Sequence, residues 1–242
     1  MEVQERVQAA ALSPLLNQIV APGDVVLDLT KAGKVVRLGG GLRQDGDSIV
    51  VTRAGRLRHT KPNKYWVEGS QKRYVPNLED GVIGIVTDRR FEAFSLDIGA
   101  PTFATLPILA FEGATRRNAP NLQPGAAVYA RVVKCHRDVQ PELSCMDVSN
   151  KSSGFGPLKN GYIFDCSTGL ARSLLSKPMC PVLEALGKRL SYEIAVGLNG
   201  RVWVNAEEPS TIVAVSNAIL AAEFLTPAQQ HIMVARIMET MQ

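Results

Sequence analysis

The chain has 242 residues, of which 45% are hydrophobic and 21% charged, and its formal net charge is +4. This composition is globular, excludes a low-complexity chain, and allows one large domain or two to three small ones. The longest apolar stretch, residues 212–225, is interrupted by polar side chains and is shorter than the roughly 20 residues of a membrane-spanning helix. Residues 1–16 lack the positive segment and apolar core of a secretory signal, so we expect a soluble, intracellular protein.

The first part of the chain, residues 20–75, alternates short runs of valine, isoleucine and leucine with turn residues such as glycine, proline and aspartate. This spacing is typical of a small all-β domain built of hairpins. A short helix is expected before it, within residues 1–16, where Pro14 limits its length. We therefore predict a β-rich amino-terminal domain over residues 1–75.

Residues 51–75 carry all of the excess positive charge, with seven basic residues and one acidic residue. Tyr65 and Trp66 lie among them. Such a patch attracts polyanions through phosphate contacts and counterion release, but it is equally compatible with a docking surface for a protein or a solvated loop face. Its basic members are Arg53, Arg56, Arg58, Lys61, Lys64, Lys72 and Arg73.

The middle part, residues 76–150, has the pattern of a second β domain. Residues 82–87 are almost continuously apolar, and Phe94, Leu96 and Ile98 alternate with polar residues as in a strand with one buried face. Five short strands with a long polar loop between the third and the fourth fit an OB-type barrel. The other three candidate strands are residues 102–106, 127–133 and 143–148.

From residue 151 onward the hydrophobic period changes from two toward 3.6, which predicts an α/β domain over residues 151–242. The expected order is β-α-α-β-β-α-α. Prolines and a capping box of the form Thr-Pro-Ala-Gln at residues 226–229 mark the helix boundaries. The four predicted helices end near Pro178 or begin at Pro181, Pro209 and Pro227.

The predicted hairpin of this domain contains the tetrapeptide Gly197-Leu198-Asn199-Gly200. In RNA-binding KH domains a G-x-x-G motif lies between two helices and clamps the phosphate backbone. Here the motif lies between two short apolar runs. Its Asn-Gly step is a strong signal for a type I′ turn, in which both central residues have positive φ. The motif therefore has two interpretations, an RNA clamp and a structural turn.

The cysteine and histidine side chains are few and dispersed. No two cysteines have C-x-x-C spacing, so the sequence predicts neither a disulfide framework nor a zinc site. We expect small buried thiols, no metal and no cofactor. The residues are Cys135, Cys145, Cys166, Cys180, His59, His136 and His231.

Several segments resemble one family. The opening of the barrel, residues 81–99, resembles an S1-type OB domain, and the last domain resembles a type I KH domain. Residues 71–76, 111–118 and 197–204 resemble the exosome component 3 family of exosome cap subunits, also called the ribosomal RNA-processing protein 40 family. The similarity spans essentially the whole chain and divides it into an amino-terminal domain, an S1 domain and a KH domain.

The resemblance implies a non-catalytic cap subunit of the RNA exosome. Such subunits contact one another and a six-membered ring of RNase PH-like proteins. They help single-stranded RNA to enter the channel for 3′-to-5′ processing and degradation, including that of ribosomal RNA. The resemblance also implies localisation to the nucleus, nucleolus and cytoplasm, with no membrane partner and no small-molecule substrate.

The S1 resemblance places Phe91 and Phe94 where such domains carry base-stacking aromatic side chains, beside Arg89 and Arg90. Phe94 shares the parity of the buried positions and is expected in the core, so Phe91 is the stacking candidate. Pro107 stands where many S1 domains have a histidine, which removes one stacking group and one donor. Further candidate phosphate contacts are Arg116, Arg117, Arg131, Lys134 and Arg137.

The phosphate cradle of a KH domain is missing from its expected place. The connection between the first two helices, residues 176–180, has no glycine, and Pro178 has no N–H to donate. This favours the turn interpretation of Gly197–Gly200. The family carries the same displaced G-x-N-G motif at the boundary between the S1 and KH domains.

Two other functions compete with the cap subunit: a stand-alone S1/KH RNA-binding protein and a ribonuclease. A metal-dependent nuclease needs several carboxylates that converge on cations. The adjacent acidic pairs are Glu79-Asp80 and Glu207-Glu208, and a turn and a helix start explain them. We therefore predict no catalytic residues.

Overall fold

The structure is a computed structural model that describes residues 13–32, 35–60, 63–69, 73–115, 117–118, 120–136, 139–176 and 179–241. The chain divides into two compact units, Met1–Ser70 and Gln71–Gln242. Most of the helix expected within residues 1–16 lies outside the described residues, as do four candidate contacts: Lys61, Lys72, Arg116 and Arg137.

The described part of the first unit contains two small sheets and one short helix, which confirms the predicted β-rich pattern. One sheet has the order β1-β6-β7-β3 and the other the order β2-β5-β4. Valine, isoleucine and leucine side chains from both sheets form its core, in which Leu57 has no exposed surface. The elements are β1 (Ile19–Val20), β2 (Val25–Asp28), α1 (Leu29–Ala32), β3 (Arg37–Leu38), β4 (Leu42–Asp45), β5 (Ser48–Val51), β6 (Gly55–Thr60) and β7 (Lys64–Glu68).

The second unit begins with the predicted OB-type barrel. Five strands follow one another in the order β12-β10-β9-β8-β11, and pairing of β11 with β12 closes the barrel, while a short strand β13 adds to β11. Alternate side chains point inward, so that Phe94, Leu96 and Leu106 have no exposed surface. The strands are β8 (Gly81–Arg89), β9 (Ala93–Asp97), β10 (Ala104–Pro107), β11 (Ala127–His136), β12 (Val139–Ser144) and β13 (Gly156–Leu158).

The fifth barrel strand lies earlier than predicted. Residues 143–148 were expected to form it, but β12 ends at Ser144 and includes Pro141. Proline has no N–H to donate to a neighbouring strand, so its presence in a sequence argues against a strand. Here the irregular pairing of β11 with β12 accommodates it. The residues after β12 form a loop instead, in which the carboxylate of Asp147 accepts hydrogen bonds from the N–H of Ser149 at 2.7 Å and the hydroxyl of Ser153 at 2.7 Å.

The rest of the second unit has the predicted order β-α-α-β-β-α-α. Its three strands form an antiparallel sheet in the order β14-β16-β15, and the helices pack on it. The capping box is confirmed, because the N–H of Thr226 donates to Oε1 of Gln229 at 2.9 Å. The elements are β14 (Tyr162–Asp165), α2 (Thr168–Leu174), α3 (Pro181–Gly187), β15 (Glu193–Val196), β16 (Arg201–Asn205), α4 (Pro209–Ala222) and α5 (Pro227–Met241).

Within the described ranges, no helix combines the length and the apolar character needed to cross a bilayer. The barrel and the KH-type domain, which belong to one compact unit, meet where β15 and β16 approach β8. This junction contains the G-x-N-G motif.

Candidate nucleic-acid interface

The G-x-N-G turn joins the KH-type domain to the barrel through the side chain of Asn199, which is only 8% exposed. Its Nδ2 donates to the carbonyl oxygens of Ile83 at 2.8 Å and Ile98 at 3.0 Å, and its Oδ1 accepts from the N–H of Ile83 at 3.2 Å. A carboxamide offers two N–H donors and one oxygen acceptor, so both ends of this side chain are used. Asn199 therefore bridges β8 and the residue that follows β9.

The backbone of the turn is also occupied inside the protein. The N–H of Gly197 donates to the carbonyl of Arg201 at 2.8 Å, that of Leu198 to Gly81 at 2.8 Å, and that of Gly200 to Gly197 at 3.0 Å. In a KH phosphate clamp these amides face the nucleic acid. Here they donate to carbonyl groups, which favours the structural interpretation of the motif.

Glycine is required at two positions of the turn because backbone atoms approach closely, from the barrel at Gly197 and from the KH-type domain itself at Gly200. A Cβ atom on Gly197 would lie 2.8 Å from the backbone nitrogen of Ile83. A Cβ on Gly200 would lie 2.5 Å from the carbonyl oxygen of Cys166, and the φ of Gly200 is +81°. Both contacts are with backbone atoms, which cannot move aside as a flexible side chain does.

The turn type differs from the prediction. A type I′ turn centred on Asn199 and Gly200 requires positive φ at both residues, but only Gly200 has it. The Asn-Gly step with two positive φ values is Asn160-Gly161, at +60° and +75°. The physical reason is tertiary: the carboxamide of Asn199 bonds to the barrel, whereas an isolated hairpin would leave this side chain at an exposed tip.

A second bridge lies beside the turn. The guanidinium of Arg201 donates from Nη1 to the carbonyl of Asp97 at 2.6 Å and from Nη2 to the carboxylate of Asp97 at 2.7 Å. Nε of Arg201 lies 3.6 Å from the carboxylate of Asp165. Burial acts to raise the pKa of Asp97, but the hydrogen bonds from Arg201 and from the N–H of Gly99 outweigh it and hold the pKa below its ordinary value.

Phe91 and its two arginine neighbours lie at the other end of β8. The ring of Phe91 is 96% exposed at the tip of the turn between β8 and β9, which the N–H of Arg90 closes by donating to the carbonyl of Ala93 at 2.8 Å. Nη1 of Arg89 donates to Oδ1 of Asn121 at 2.7 Å, and Arg90 is exposed. The structure thus brings these three candidates together on one turn. Phe94 is fully buried, which confirms its predicted place in the core.

The other candidates are spread over the barrel. Arg131 is engaged within the protein: its Nη1 lies 2.6 Å from both carboxylate oxygens of Glu79, and its side chain is only 14% exposed. Lys134 pairs with Glu142 at 2.8 Å but stays largely exposed. Arg117 is exposed. Arg131 therefore has a structural partner that competes with any phosphate.

The described members of the basic patch of residues 51–75 are divided between the two units. On the outer face of the hairpin β6-β7, register places Arg56 opposite Glu68 and Arg58 opposite Trp66. Nε of Arg58 lies 2.7 Å from the carboxylate of Glu68, which offsets part of the positive charge. Lys64 is exposed on the same hairpin. Of the other described members, Arg53 is half-buried in the first unit, and Arg73 is exposed in the second.

Three of the four acidic residues considered for catalysis have partners in the structure. Besides the ion pair of Glu79, the carboxylate of Asp80 accepts from the hydroxyl of Tyr74 at 2.8 Å, and that of Glu208, at the amino-terminal cap of α4, accepts from the hydroxyl of Ser210 at 3.2 Å. Burial raises the pKa of Asp80. Among the residues that the structure describes, no three His, Cys, Asp or Glu side chains are grouped to hold a metal ion.

The partners of Asn199 and Arg201 could not be found from the sequence. The partners, Ile83, Asp97 and Ile98, are remote from them in the chain. Because every residue has a backbone carbonyl, the residue type does not indicate which carbonyl accepts a hydrogen bond. The available signals were indirect: a glycine-flanked asparagine and a charged pair, Arg201 and Asp97, next to apolar strands.

Replacement of Asn199 by leucine should destabilise the protein. The side-chain volume is similar, but Ile83 and Ile98, which have no exposed surface, each lose a partner for backbone polar groups. Each unsatisfied buried group costs about 1–3 kcal/mol, so we expect a loss of roughly 3 kcal/mol or more in the free energy of unfolding, measured with urea. Asn205→Leu is the control, because its Nδ2 has only a 3.5 Å contact with Glu193. A loss of RNA affinity at unchanged stability would instead support the clamp.

The Arg201–Asp97 bridge should make stability depend on pH. Because the pKa of folded Asp97 lies below the ordinary 3.8, the bridge contributes stability above that pH and loses it as the pH falls through the folded value. Arg201→Met should lower the free energy of unfolding at pH 7 and flatten its decrease in this acidic range. Arg43→Met, which removes an exposed pair with Asp45, is the control. An identical acid dependence in wild type and Arg201→Met would contradict this account.

Comparison with known proteins matches all three parts of the chain to family models. Residues 36–73 match the Exosome complex exonuclease Rrp40 N-terminal domain, residues 74–156 match the Exosome complex component RRP40 S1 domain, and residues 161–210 match a KH domain. A crystal structure described as an exosome complex RNA-binding protein has a similar fold, with a TM-score of 0.58 and 24% identity over 69% of this chain and 96% of that one.

Curated relatives cover nearly the whole chain. Exosome complex component rrp40 of Dictyostelium discoideum is 44% identical over 90% of this chain and 91% of the relative. Exosome complex component RRP40 of Drosophila melanogaster is 44% identical over 86% and 90%, and that of Homo sapiens is 36% identical over 96% and 94%. The chain therefore belongs to the exosome complex component RRP40 family.

Proposed function

We propose that the protein is an RNA-binding, non-catalytic cap subunit of an exosome complex. In this role it helps to hold the ring of RNase PH-like subunits together, and it guides single-stranded RNA toward the channel for 3′-to-5′ processing and degradation. The observation that carries the proposal is the end-to-end likeness to exosome components, at 36–44% identity over most of the chain in the relatives above. The amino-terminal, S1 and KH parts occur in the same order as in the family models.

The barrel supplies the features of an RNA-binding surface. OB domains bind oligonucleotides on the face of their second and third strands and on the adjoining loops. Here those strands are β9 and β10, and the adjoining turn carries Arg89, Arg90 and the exposed ring of Phe91. An exposed aromatic ring beside arginines suits a stacked base and its phosphates. This arrangement favours RNA contact on the barrel over contact at the G-x-N-G turn.

The contacts of the acidic side chains support a non-catalytic role. Glu79 pairs with Arg131, Asp80 accepts a hydrogen bond from Tyr74, and Glu208 accepts one from the hydroxyl of Ser210. These are structural roles, and they leave each carboxylate separately engaged. In the assembly, hydrolysis would belong to other subunits.

The partners and the location in the cell follow from the same proposal. The basic hairpin β6-β7 of the first unit, with Arg56 and Lys64 exposed, is the candidate docking surface for a ring subunit or a second contact for RNA. Nuclear, nucleolar and cytoplasmic localisation is expected of a subunit that handles ribosomal and other RNAs. Imaging of the tagged protein at its native expression level tests the localisation.

Affinity purification tests the assembly. The tagged chain, isolated from extract of its own cells, should bring down RNase PH-like ring subunits and the other cap subunits in stoichiometric amounts. Elution as a single chain of about its own mass, 26.2 kDa, would favour a stand-alone S1/KH RNA-binding protein. Degradation of single-stranded RNA by the purified chain with added magnesium, abolished by substitution of Glu79 or Glu208, would favour a nuclease.

Arginine variants on the β8–β9 turn should weaken RNA binding in a salt-dependent way. We expect Arg90→Gln, and Arg89→Gln in a second variant, to lower affinity for a single-stranded oligonucleotide and to reduce the salt slope by about 0.7 per lost phosphate contact. Fluorescence anisotropy over a series of salt concentrations measures both quantities. Arg43→Gln, which removes an exposed charge from the first unit, is the matched control. An unchanged slope for the Arg90 variant would place this arginine away from the RNA.

A further inference from the structure

Strand β15 forms an open edge of the KH-type sheet. In the order β14-β16-β15 it pairs with β16 alone, in an unbroken antiparallel register. The N–H of Gly197 donates to the carbonyl of Arg201, so Ala195, two residues earlier, also turns its backbone groups toward β16. The residue before it, Ile194, therefore turns its N–H and its carbonyl to the outer edge.

The two ends of this edge have different surroundings. At one end Val196 is buried, and a Cβ atom on the following residue, Gly197, would lie 2.8 Å from the backbone nitrogen of Ile83 in the barrel. Toward the other end, Ile194 is partly exposed. Among the described residues, no hydrogen bond reaches its N–H or its carbonyl. Open groups of this kind pair readily with another extended chain.

An apolar groove of about 630 Å³ lies beside this edge, between β15 and α3. Leu183, Leu190 and Tyr192 pack against the core of the domain and line the groove, and Met179, just before α3, is 63% exposed in its wall. The side chain of Ile194 also lines it. A chain paired with Ile194 would point every second side chain to the same face of the sheet, and thus into the groove.

The charges at the rim favour an acidic ligand. Lys188 and Arg189 follow α3 and line the groove. Lys188 pairs with Glu184 at 2.7 Å, whereas Arg189 is exposed and has no ionic partner in the described part of the chain. One uncompensated positive charge beside apolar side chains suits a single carboxylate. A phosphate backbone is suited less, because the segment before Met179 has no glycine and its Pro178 has no N–H.

We propose that the outer edge of β15 and the adjoining groove bind an extended peptide of a partner protein, with apolar side chains at alternate positions and a flanking acidic residue. The peptide adds a strand to the sheet. Its backbone bonds to Ile194, its apolar side chains enter the groove, and its carboxylate pairs with Arg189. This role goes beyond RNA binding by the barrel, since it gives the KH-type domain a separate site for an associated protein.

Fluorescence anisotropy tests the proposal on the full chain, with a labelled octapeptide of alternating valine and threonine flanked by aspartates. We expect saturable binding. Methylation of single amide nitrogens of the peptide should weaken binding about tenfold at every second position and little between them, because alternate N–H groups of a strand face its neighbour. A peptide with lysine in place of the aspartates should also bind about tenfold more weakly.

Variants of the protein test each contact. Ile194→Pro removes the outward N–H but no bond to β16, and should weaken peptide binding about tenfold more than Ile194→Ala, which keeps the N–H. Arg189→Glu should weaken binding of the aspartate peptide and improve that of the lysine peptide, whereas Lys159→Glu, an exposed charge outside the groove, should change neither. Urea unfolding shows which variants are folded, and Met179→Glu, at an exposed side chain, tests the groove if Ile194→Pro is not.

Three results would overturn the peptide site: no binding of the aspartate peptide, equal effects of methylation at all positions, or wild-type affinity in Met179→Glu. A Met179→Glu variant that binds the peptide normally but loses affinity for single-stranded RNA would make the groove a nucleic-acid site instead. Arg90→Gln, on the barrel, should leave peptide affinity unchanged, so failure of the peptide site and failure of RNA binding by the barrel are distinguishable.

Discussion

The buried carboxamide of Asn199 is the interaction that fixes the KH-type domain against the barrel. It bonds to three backbone groups of Ile83 and Ile98, and the N–H of Leu198 adds a bond to Gly81. A buried backbone group without a partner costs about 1–3 kcal/mol, so a shifted arrangement of the two domains would be penalised several times over. Each donor at this junction faces an acceptor of the other domain. These hydrogen bonds can all form in only one relative orientation of the barrel and the KH-type domain.

This junction bears on the proposed site of RNA binding. The N–H groups of Gly197, Leu198 and Gly200 donate to carbonyl groups of the protein, and the junction contacts the first part of β8. At the far end of this strand lie Arg89 and the turn that carries Phe91. Nine residues of strand span about 30 Å, so one continuous strand connects the junction to the turn that is proposed to contact RNA. The first half of this strand is mostly buried and its last residues are exposed.

Much of the fold could be predicted from local patterns, and the errors occur where tertiary contacts override them. Alternation revealed β9, prolines and a capping box marked the helices, and Phe94 was recognised as core by its parity. The last barrel strand was displaced because Pro141 lies inside it, which local rules disfavour. The type I′ geometry was assigned to Asn199-Gly200, because a sequence pattern does not reveal that the asparagine side chain bonds to another domain.

The sequence by itself determined the element order, the three-part organisation and the family. These depend on periodicity, turn residues and short motifs, all of which are formed by residues close together in the chain. Only the tertiary structure decided the surroundings of each candidate residue. Arg131 is paired with Glu79, and Phe91 is exposed. The physical reason is that a role depends on which groups surround a side chain and on its exposure to water, and distant segments of the chain set both.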